Sequence, residues 1–212
     1  GTAGALCGTG ILSSQKAYAE LRKSRCSSAN ERISVGCIGV GGMGRGDMGA
    51  FLSSEVAHVV AVCDVKREAR ELACGQVNAR YGNTDCASYV HFEELVGRSD
   101  IDAVLIASPD HWHVLHALCA VRAGKDVYVE KPMGVSIEEV QTLRDAVRSH
   151  GRVFQFGTQQ RSMREFRQVC ELVRNGGIGR LRNINVGVHA GAAERTGLKS
   201  LSAAPVPAGL EY

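Results

Sequence analysis

The stretch ISVGCIGVGGMG at residues 33–44 decides the fold of this chain. Its first six residues form an apolar run that is typical of a buried strand, and three glycines follow in the order G-x-G-x-x-G: Gly39, Gly41 and Gly44. A second apolar run covers residues 58–63 and ends at Asp64, 20 residues after Gly44. This order predicts a strand, a tight glycine turn, a helix over about 43–53, and a second strand with an acid at its end.

Such a unit is the fingerprint of dinucleotide binding, and each glycine has a physical role in it. Gly39 permits the tight turn, Gly41 lets the backbone approach a pyrophosphate, and Gly44 lets the helix pack closely against the sheet. The start of that helix directs N–H groups and the positive end of its dipole at the phosphates. A glycine turn without any ligand is the alternative, and the flanking strands and the spaced acid disfavour it. We therefore expect cofactor contacts from Gly39, Gly41, Gly42, Met43 and Gly44.

Asp64 bears on which dinucleotide binds. Its carboxylate can accept hydrogen bonds from a ribose diol and would repel a 2′-phosphate, so NAD is expected. Lys66 and Arg67 follow directly and could pair with that phosphate, which leaves NADP possible.

Composition narrows the class of protein. The chain has 212 residues, 44% of them hydrophobic, and a formal net charge of +3. No basic block suggests nucleic acid as a partner, and no run of about 18 apolar residues suggests a membrane span. Eight cysteines occur without a C-x-x-C pair, and Cys37, Cys63 and Cys119 fall within predicted strands or helices. They are interpreted as buried free thiols in a reducing compartment rather than as metal ligands, so no metal site is predicted.

Residues 1–30 differ from the rest. Residues 1–12 are small and apolar, and residues 13–25 have the composition of a short polar helix. They are either the remnant of an export signal or a loose extension, and we leave them out of the fold prediction. The expected location is the cytoplasm, with export after cytoplasmic folding as the alternative if these residues are a signal remnant.

From residue 33 onward, strands and helices alternate, which predicts an α/β fold with a doubly wound parallel sheet. Further strands are predicted over 102–107, 126–129 and 153–156, and helices over 67–81, 92–96, 111–123 and 136–150. Ligands of such sheets lie beyond the carboxyl ends of the strands. We therefore expect the residues that follow the strands to converge: Gly41, Asp64, Ser108, Pro109, Lys131 and Gln159.

The pattern changes after Gly157. A helix is predicted over 162–175, a glycine turn over 176–179 and one strand over 181–189, whereas the tail 191–212 shows no periodicity. This predicts a Rossmann-type domain over 31–158 and the start of an incomplete α+β domain over 159–212. The chain is expected to stop just inside that second domain.

Several motifs together resemble the Gfo/Idh/MocA family, which includes glucose–fructose oxidoreductase and inositol dehydrogenase. The matching stretches are GCIGVGGMG at 36–44, SPDHWH at 108–113, EKP at 130–132, GTQQR at 157–161 and NGGIG at 175–179. EKP alone is a weak motif, but the set is specific in this order and spacing. The resemblance covers about residues 32–189, most of the chain.

This resemblance implies site residues. Lys131 would be the catalytic lysine and would donate to the substrate hydroxyl beside the nicotinamide, and Pro132 would hold it extended. A surface lysine in a turn is the alternative. The resemblance also implies cofactor contacts from Ser108, Pro109, His113, Glu130 and Lys131.

Other interpretations stay open for several residues of the matching motifs. A histidine at a helix start, such as His113, is more often a cap or a packing residue than a catalytic acid. Trp112, the only tryptophan, is expected to pack in the core, with packing against the nucleotide or a neighbouring helix as the alternative. Gln159 and Arg161 resemble positions on the substrate side of the family's active site, although Arg161 is equally well explained as a solvated charge.

One departure concerns the acid/base pair. Family members carry a further aspartate and histidine in the second domain, and no counterpart is found here, because His189 comes too early. Hydride transfer by this length of chain is therefore in doubt, whatever the activity of its parent.

The resemblance nevertheless implies an NAD(P)-dependent oxidoreductase that acts on a secondary hydroxyl of a sugar or cyclitol, with a homo-oligomeric parent. Two alternatives stay open: an NAD-dependent glycoside hydrolase of the same superfamily, and a nucleotide-binding remnant without catalysis.

Overall fold

The computed structural model describes residues 31–187 and 205–211. The chain forms two compact units: the first runs to Phe156 and takes in Glu211, and the second runs from Gly157 to Leu210. The expectations for residues 1–30, including the helix over 13–25, lie outside the described residues, as does most of the tail 191–212.

A six-stranded sheet organises the first unit. Its strands are β1 (Ile33–Ile38), β2 (Ala57–Cys63), β3 (Ala87–Tyr89), β4 (Ala103–Ile106), β5 (Asp126–Glu130) and β6 (Phe154–Gly157). They lie in the order β3-β2-β1-β4-β5-β6, and β1 pairs in parallel with both β2 and β4. This order is that of dinucleotide-binding sheets, with the crevice at the switch point beside β1. The predicted doubly wound parallel sheet is confirmed.

Helices connect the strands as the alternating pattern predicts. They are α1 (Gly42–Leu52), α2 (Arg67–Tyr81), α3 (Phe92–Val96), α4 (His113–Arg122) and α5 (Ile137–His150), with a 3-10 turn over Asp110–Trp112. None of the helices in the described ranges is long and apolar enough to cross a membrane.

Side chains of the strands alternate between two hydrophobic clusters. Along β4, Val104 and Ile106 enter one cluster and Leu105 enters the other. This alternation follows from the two-residue period of a strand, and it buries both faces of the sheet.

Helix ends follow local sequence signals. Gly82 ends α2 with a φ of +69° and Gly151 ends α5 with a φ of +60°, a region that costs glycine little. At the start of α5, Ser136 Oγ accepts from the backbone N–H of Glu139 at 3.2 Å. The Glu139 carboxylate in turn accepts from the N–H of Val135 at 3.3 Å, so the S-x-x-E signal is used at this end.

The second unit contains a 3-10 turn over Gln159–Ser162 and the helix α6 (Arg164–Arg174). The strand expected over 181–189 is wrong for residues 181–187, which form no strand. A strand is stable only with hydrogen-bonding neighbours, and Ile184 and Val186 are 72% and 81% exposed. Residues 188 and 189 lie outside the described residues.

Three cysteines that the sequence predicts to be buried thiols are free. Cys37 and Cys63 are buried, whereas Cys119 is half-buried. Burial raises the pKa of the Cys63 thiol to about 12 and raises that of Cys37 as well, so both behave as small apolar groups.

Candidate active site

Two glycines of the turn after β1 are required by the packing of the protein itself. Gly39 has a φ of +78°, and a Cβ on it would overlap the backbone nitrogen of Ser108 in the loop after β4. A Cβ on Gly44 would overlap the carbonyl oxygen of Gly39. The glycines therefore let the turn, the neighbouring loop and α1 approach one another.

Two other glycines of the same turn face open space. A Cβ on Gly41 or on Gly42 would meet no atom within 4 Å. Gly41 is the N-cap of α1, no side chain caps this helix, and its first turn holds no acid. The next side chain, Met43, is 54% exposed. Open backbone at an uncapped helix start fits the pyrophosphate of a dinucleotide.

Asp64 joins the ends of β1 and β2. Its Oδ2 accepts from the N–H of Val40 at 2.9 Å, and its Oδ1 accepts from the N–H of Lys66 at 2.8 Å. Because a carboxylate oxygen accepts more than one hydrogen bond, both oxygens keep capacity for ribose hydroxyls. The acid is thus held at the glycine turn, where the fingerprint requires it.

Basic residues near Asp64 already have acidic partners. Lys66 Nζ lies 3.5 Å from Glu68 Oε2, and Arg67 Nε donates to Glu211 Oε1 at 2.8 Å. Arg70, which the sequence analysis does not single out, donates to the backbone oxygen of Asp64 at 2.7 Å.

His113 is buried and ties two loops together. It is 1% exposed, with Nε2 at 2.7 Å from the carbonyl oxygen of Ser108 and Nδ1 at 2.5 Å from that of Pro132. Both partners are backbone carbonyl oxygens, which accept hydrogen bonds. The loops after β4 and β5 are therefore joined through this side chain, and its contact with a cofactor stays a prediction.

Trp112 stacks at the same edge of the sheet instead of packing in the core. It is 41% exposed, and its ring lies 5.3 Å from that of His116. The ring of Phe92 also packs against His116, with the two ring centroids 4.3 Å apart. Ser108 Oγ lies 3.0 Å from His116 Nδ1. Burial, followed by the nearby His113, lowers the pKa of His116 to about 4.

The EKP segment places a buried acid beneath an exposed lysine. Glu130 is 3% exposed, and its Oε2 accepts from the N–H of Lys131 at 3.1 Å. The peptide bond between Lys131 and Pro132 is cis. Burial, followed by the charge and a hydrogen bond of Glu130, raises the pKa of Asp47 on α1 to about 6, and Lys131 opposes this shift. One electrostatic cluster is therefore formed by Asp47, Glu130 and Lys131. Its member Asp47 was not predicted from the sequence.

The structure thus gathers most of the expected residues of the first unit at the carboxyl edge of its sheet. The glycine turn and Asp64 meet through Val40, and Ser108 meets Pro132 through His113. In the second unit, Gln159 and Arg161 lie in a 3-10 turn, where Arg161 is exposed and its N–H donates to Thr158 at 3.0 Å. Their place on the substrate side stays a prediction.

Comparison with known families identifies relatives. Residues 33–158 match the model of the Gfo/Idh/MocA oxidoreductase family with an NAD-binding Rossmann fold. The chain is 32% identical over 149 residues to "Inositol 2-dehydrogenase 3" of Saccharopolyspora erythraea, which covers 69% of this chain and 42% of that protein. It is 38% identical over 121 residues to a "Glycosyl hydrolase family 109 protein" of the same organism, covering 55% of this chain and 26% of the relative.

Solved structures agree with this fold. Scyllo-inositol dehydrogenase from Lactobacillus casei, solved with bound NAD(H) and scyllo-inositol, superposes with a TM-score of 0.61 at 28% identity. The match covers 70% of this chain and 42% of that enzyme. The chain therefore spans less than half the length of these relatives.

Proposed function

This chain belongs to the Gfo/Idh/MocA family of oxidoreductases with an NAD-binding Rossmann fold, and from that premise we propose that it is the cofactor-binding part of an NAD-dependent dehydrogenase. The proposed substrate is a sugar or cyclitol with a secondary hydroxyl. Relatives support this class, since one is named for inositol and a structural neighbour holds NAD(H) and scyllo-inositol.

The observation that carries the proposal is the hydrogen bond from Val40 N–H to Asp64 Oδ2, at 2.9 Å. It holds the Asp64 carboxylate beside an uncapped helix start with open backbone at Gly41, which supports a ribose acceptor at Asp64 and a pyrophosphate at Gly41. A bound nicotinamide would supply the hydride acceptor. The chain's own residues would bind and orient that cofactor.

Proton transfer is assigned to Lys131. It is exposed after β5, at the edge where Asp64 and the glycine turn lie, and an ammonium or amine there can exchange a proton with a substrate hydroxyl. Glu130 accepts from the backbone N–H of Lys131 and so holds that backbone in place. Gln159 and Arg161 are proposed to contact the substrate.

A glycoside hydrolase that uses NAD is the second candidate, because relatives named for glycosyl hydrolase family 109 reach 38% identity. Such an enzyme would oxidise its sugar transiently and return the hydride. Product analysis separates the two: a dehydrogenase forms NADH in proportion to oxidised sugar, whereas the hydrolase releases an aglycone with no net NADH.

The first test is a fluorescence titration of the chain with NADH and NADPH. We expect saturable NADH binding, at least about tenfold weaker in Asp64→Ala because the ribose loses its charged acceptor. Asp85→Ala, which removes an exposed acid whose Oδ2 accepts from Asn83 Nδ2 at 2.9 Å, is the matched control and should bind normally. Absence of binding to the unsubstituted chain would contradict the proposal, and unchanged binding in Asp64→Ala would remove that residue from the site.

Lys131→Ala tests the chemistry apart from binding. We expect it to abolish turnover of a sugar or cyclitol in the longest protein that the gene encodes, while NADH affinity stays nearly unchanged. Lys131→Arg keeps the positive charge but cannot give up a proton near neutral pH, so it should also be inactive. Normal turnover in either variant would take Lys131 out of the mechanism.

We also propose that the protein works in a reducing compartment such as the cytoplasm. The cysteines within the described ranges are free thiols, including the exposed Cys170 on α6. Oxidising compartments favour paired cysteines, so a set of unpaired thiols supports this location.

A further inference from the structure

Two arginines on α2 hold one carboxylate that comes from far along the chain. Arg67 Nε donates to Glu211 Oε1 at 2.8 Å, and Arg70 Nη2 donates to Glu211 Oε2 at 2.6 Å. The backbone N–H of Glu211 also donates to the carbonyl oxygen of Val65 at 2.8 Å. Each carboxylate oxygen thus has its own guanidinium, and the segment is fixed through its backbone as well.

This anion site is built into the end of β2, next to the acid proposed to hold the ribose. Val65 follows Asp64 directly, and Arg70 donates through Nη1 to the backbone oxygen of Asp64 at 2.7 Å. Arg70 is 8% exposed, so its guanidinium is fixed in place, whereas the side chain of Arg67 is 57% exposed and can turn to an arriving ligand.

The position matters for the choice of cofactor. In dinucleotide-binding sheets the acid after the second strand takes the ribose hydroxyls, and an arginine nearby accommodates a 2′-phosphate. Arg67 and Arg70 have the charge and the fork-shaped donors that a phosphate requires, but here a carboxylate uses them.

We propose that Glu211 occupies the 2′-phosphate position of NADP(H) and thereby makes this chain select NAD(H). The proposal rests on the proposed function, because it assigns cofactor choice to the same site. Selection then has two causes: Asp64 repels the phosphate, and Glu211 occupies the arginines that would attract it.

The physical conditions favour this occupation. Hydrogen bonds from Arg67 and Arg70 lower the pKa of Glu211, so its carboxylate stays ionised at neutral pH. Because Glu211 is tethered to the same chain, its effective concentration at the arginines exceeds that of a free nucleotide. A 2′-phosphate would have to displace it before it could pair with the arginines.

Glu211→Gln tests the proposal by titration with NADPH and NADH at low salt. The variant frees both guanidinium groups, so we expect NADPH to bind at least about tenfold more tightly than to the unsubstituted chain, with NADH affinity unchanged. The gain should shrink as salt is raised, because it is electrostatic. Glu171→Gln is the matched control, since it frees an exposed arginine, Arg167, on α6, and it should leave both affinities unchanged.

A second variant separates this role from a general effect on folding. In Glu211→Gln combined with Arg67→Ala, the gain in NADPH affinity should be largely lost, because the exposed arginine that receives the phosphate is gone. If NADH binds normally and Glu211→Gln gains no NADPH affinity, or if the gain survives Arg67→Ala, the proposal for Glu211 is overturned while the proposed function stands. If neither nucleotide binds to any variant or to the unsubstituted chain, both are overturned.

Discussion

At the scale of single residues, the glycines of one turn divide into two groups. Gly39 and Gly44 are needed because neighbouring backbone leaves no room for a Cβ, whereas a Cβ on Gly41 or Gly42 would meet no atom within 4 Å. The first group serves the fold, and the second keeps space beside the helix start. Stability and binding should therefore respond to different glycines of the same motif.

Alanine substitutions test this division. Gly44→Ala should lower the free energy of unfolding by about 2 kcal/mol or more, because its Cβ overlaps the carbonyl oxygen of Gly39. Gly41→Ala should leave stability within about 0.5 kcal/mol, because its Cβ would meet no atom within 4 Å, and should weaken NADH binding several-fold, because the proposed pyrophosphate site lies there. Urea denaturation and NADH titration measure the two effects. Equal stability loss in both variants would contradict the division. Gly46→Ala is the control, because Gly46 is an exposed glycine of α1 whose Cβ would also meet no atom within 4 Å.

Sequence identifies residues whose partners are set by local geometry. Asp64 could be predicted because its distance from Gly44 follows from the lengths of one helix and one strand. Arg70 and Glu211 could not, because they are 141 residues apart and meet only in the folded chain. The same holds for Asp47, whose pKa is raised by burial and then by Glu130 on another element.

At the scale of elements, the loops after β4 and β5 are coupled by one buried histidine. His113 begins α4, and its ring reaches the carbonyl oxygens of Ser108 and Pro132. The loop that carries Lys131 is therefore held against the loop that lies over Gly39. Positioning of the lysine depends on a side chain that need not contact the substrate.

His113→Leu should break this coupling. The carbonyl oxygens of Ser108 and Pro132 lose the ring nitrogens that contact them, so we expect the free energy of unfolding to fall by about 2–4 kcal/mol. His113→Asn, which retains a donor group, should lose less. Urea denaturation provides the values, and His111→Leu, at an exposed position in the preceding turn, is the control. If His113→Leu is as stable as His111→Leu, the two hydrogen bonds do not hold the loops.

Elements were predictable where their signals are local. The glycine after α2 and the serine before α5 mark helix ends that the structure confirms. The short strand β3 escapes the sequence analysis because three residues carry too little periodicity, and pairing with β2 alone defines it. The strand expected over 181–189 fails at 181–187 for the converse reason, since alternation without a neighbouring strand does not form a sheet.

At the scale of the whole molecule, two shifted groups give stability a pH dependence of opposite sign. His116 has its pKa lowered from 6.5 to about 4, so the folded chain binds fewer protons than the unfolded chain between these values. Asp47 has its pKa raised from 3.8 to about 6, so the folded chain binds more protons there. The contribution of His116 to the free energy of unfolding is therefore lost as pH falls through this window. The contribution of Asp47 is lost as pH rises through its own window, from 3.8 to about 6.

His116→Gln isolates one of these contributions. Between pH 6.5 and 4, His116 should lower the free energy of unfolding by about 3 kcal/mol as the solution is acidified. The variant should lack this pH-dependent loss of stability. The difference in the free energy of unfolding between the variant and the unsubstituted chain should therefore change by about 3 kcal/mol between pH 6.5 and 4. Urea denaturation at several pH values measures it, with His150→Gln at an exposed helix end as the control. A constant difference from pH 6.5 to 4 would contradict the assignment.

The two backbone bonds that hold Asp64 have a consequence for redesign. An engineer who wished to change coenzyme preference would replace this acid first, but its carboxylate also joins the backbone at Val40 to that at Lys66. Exchange for a basic or an apolar residue would therefore disturb the glycine turn that is proposed to bind the phosphates of either coenzyme. Asparagine or serine at position 64 keeps an oxygen acceptor and so preserves part of this hydrogen bonding. A change of coenzyme preference should therefore begin with one of these two substitutions.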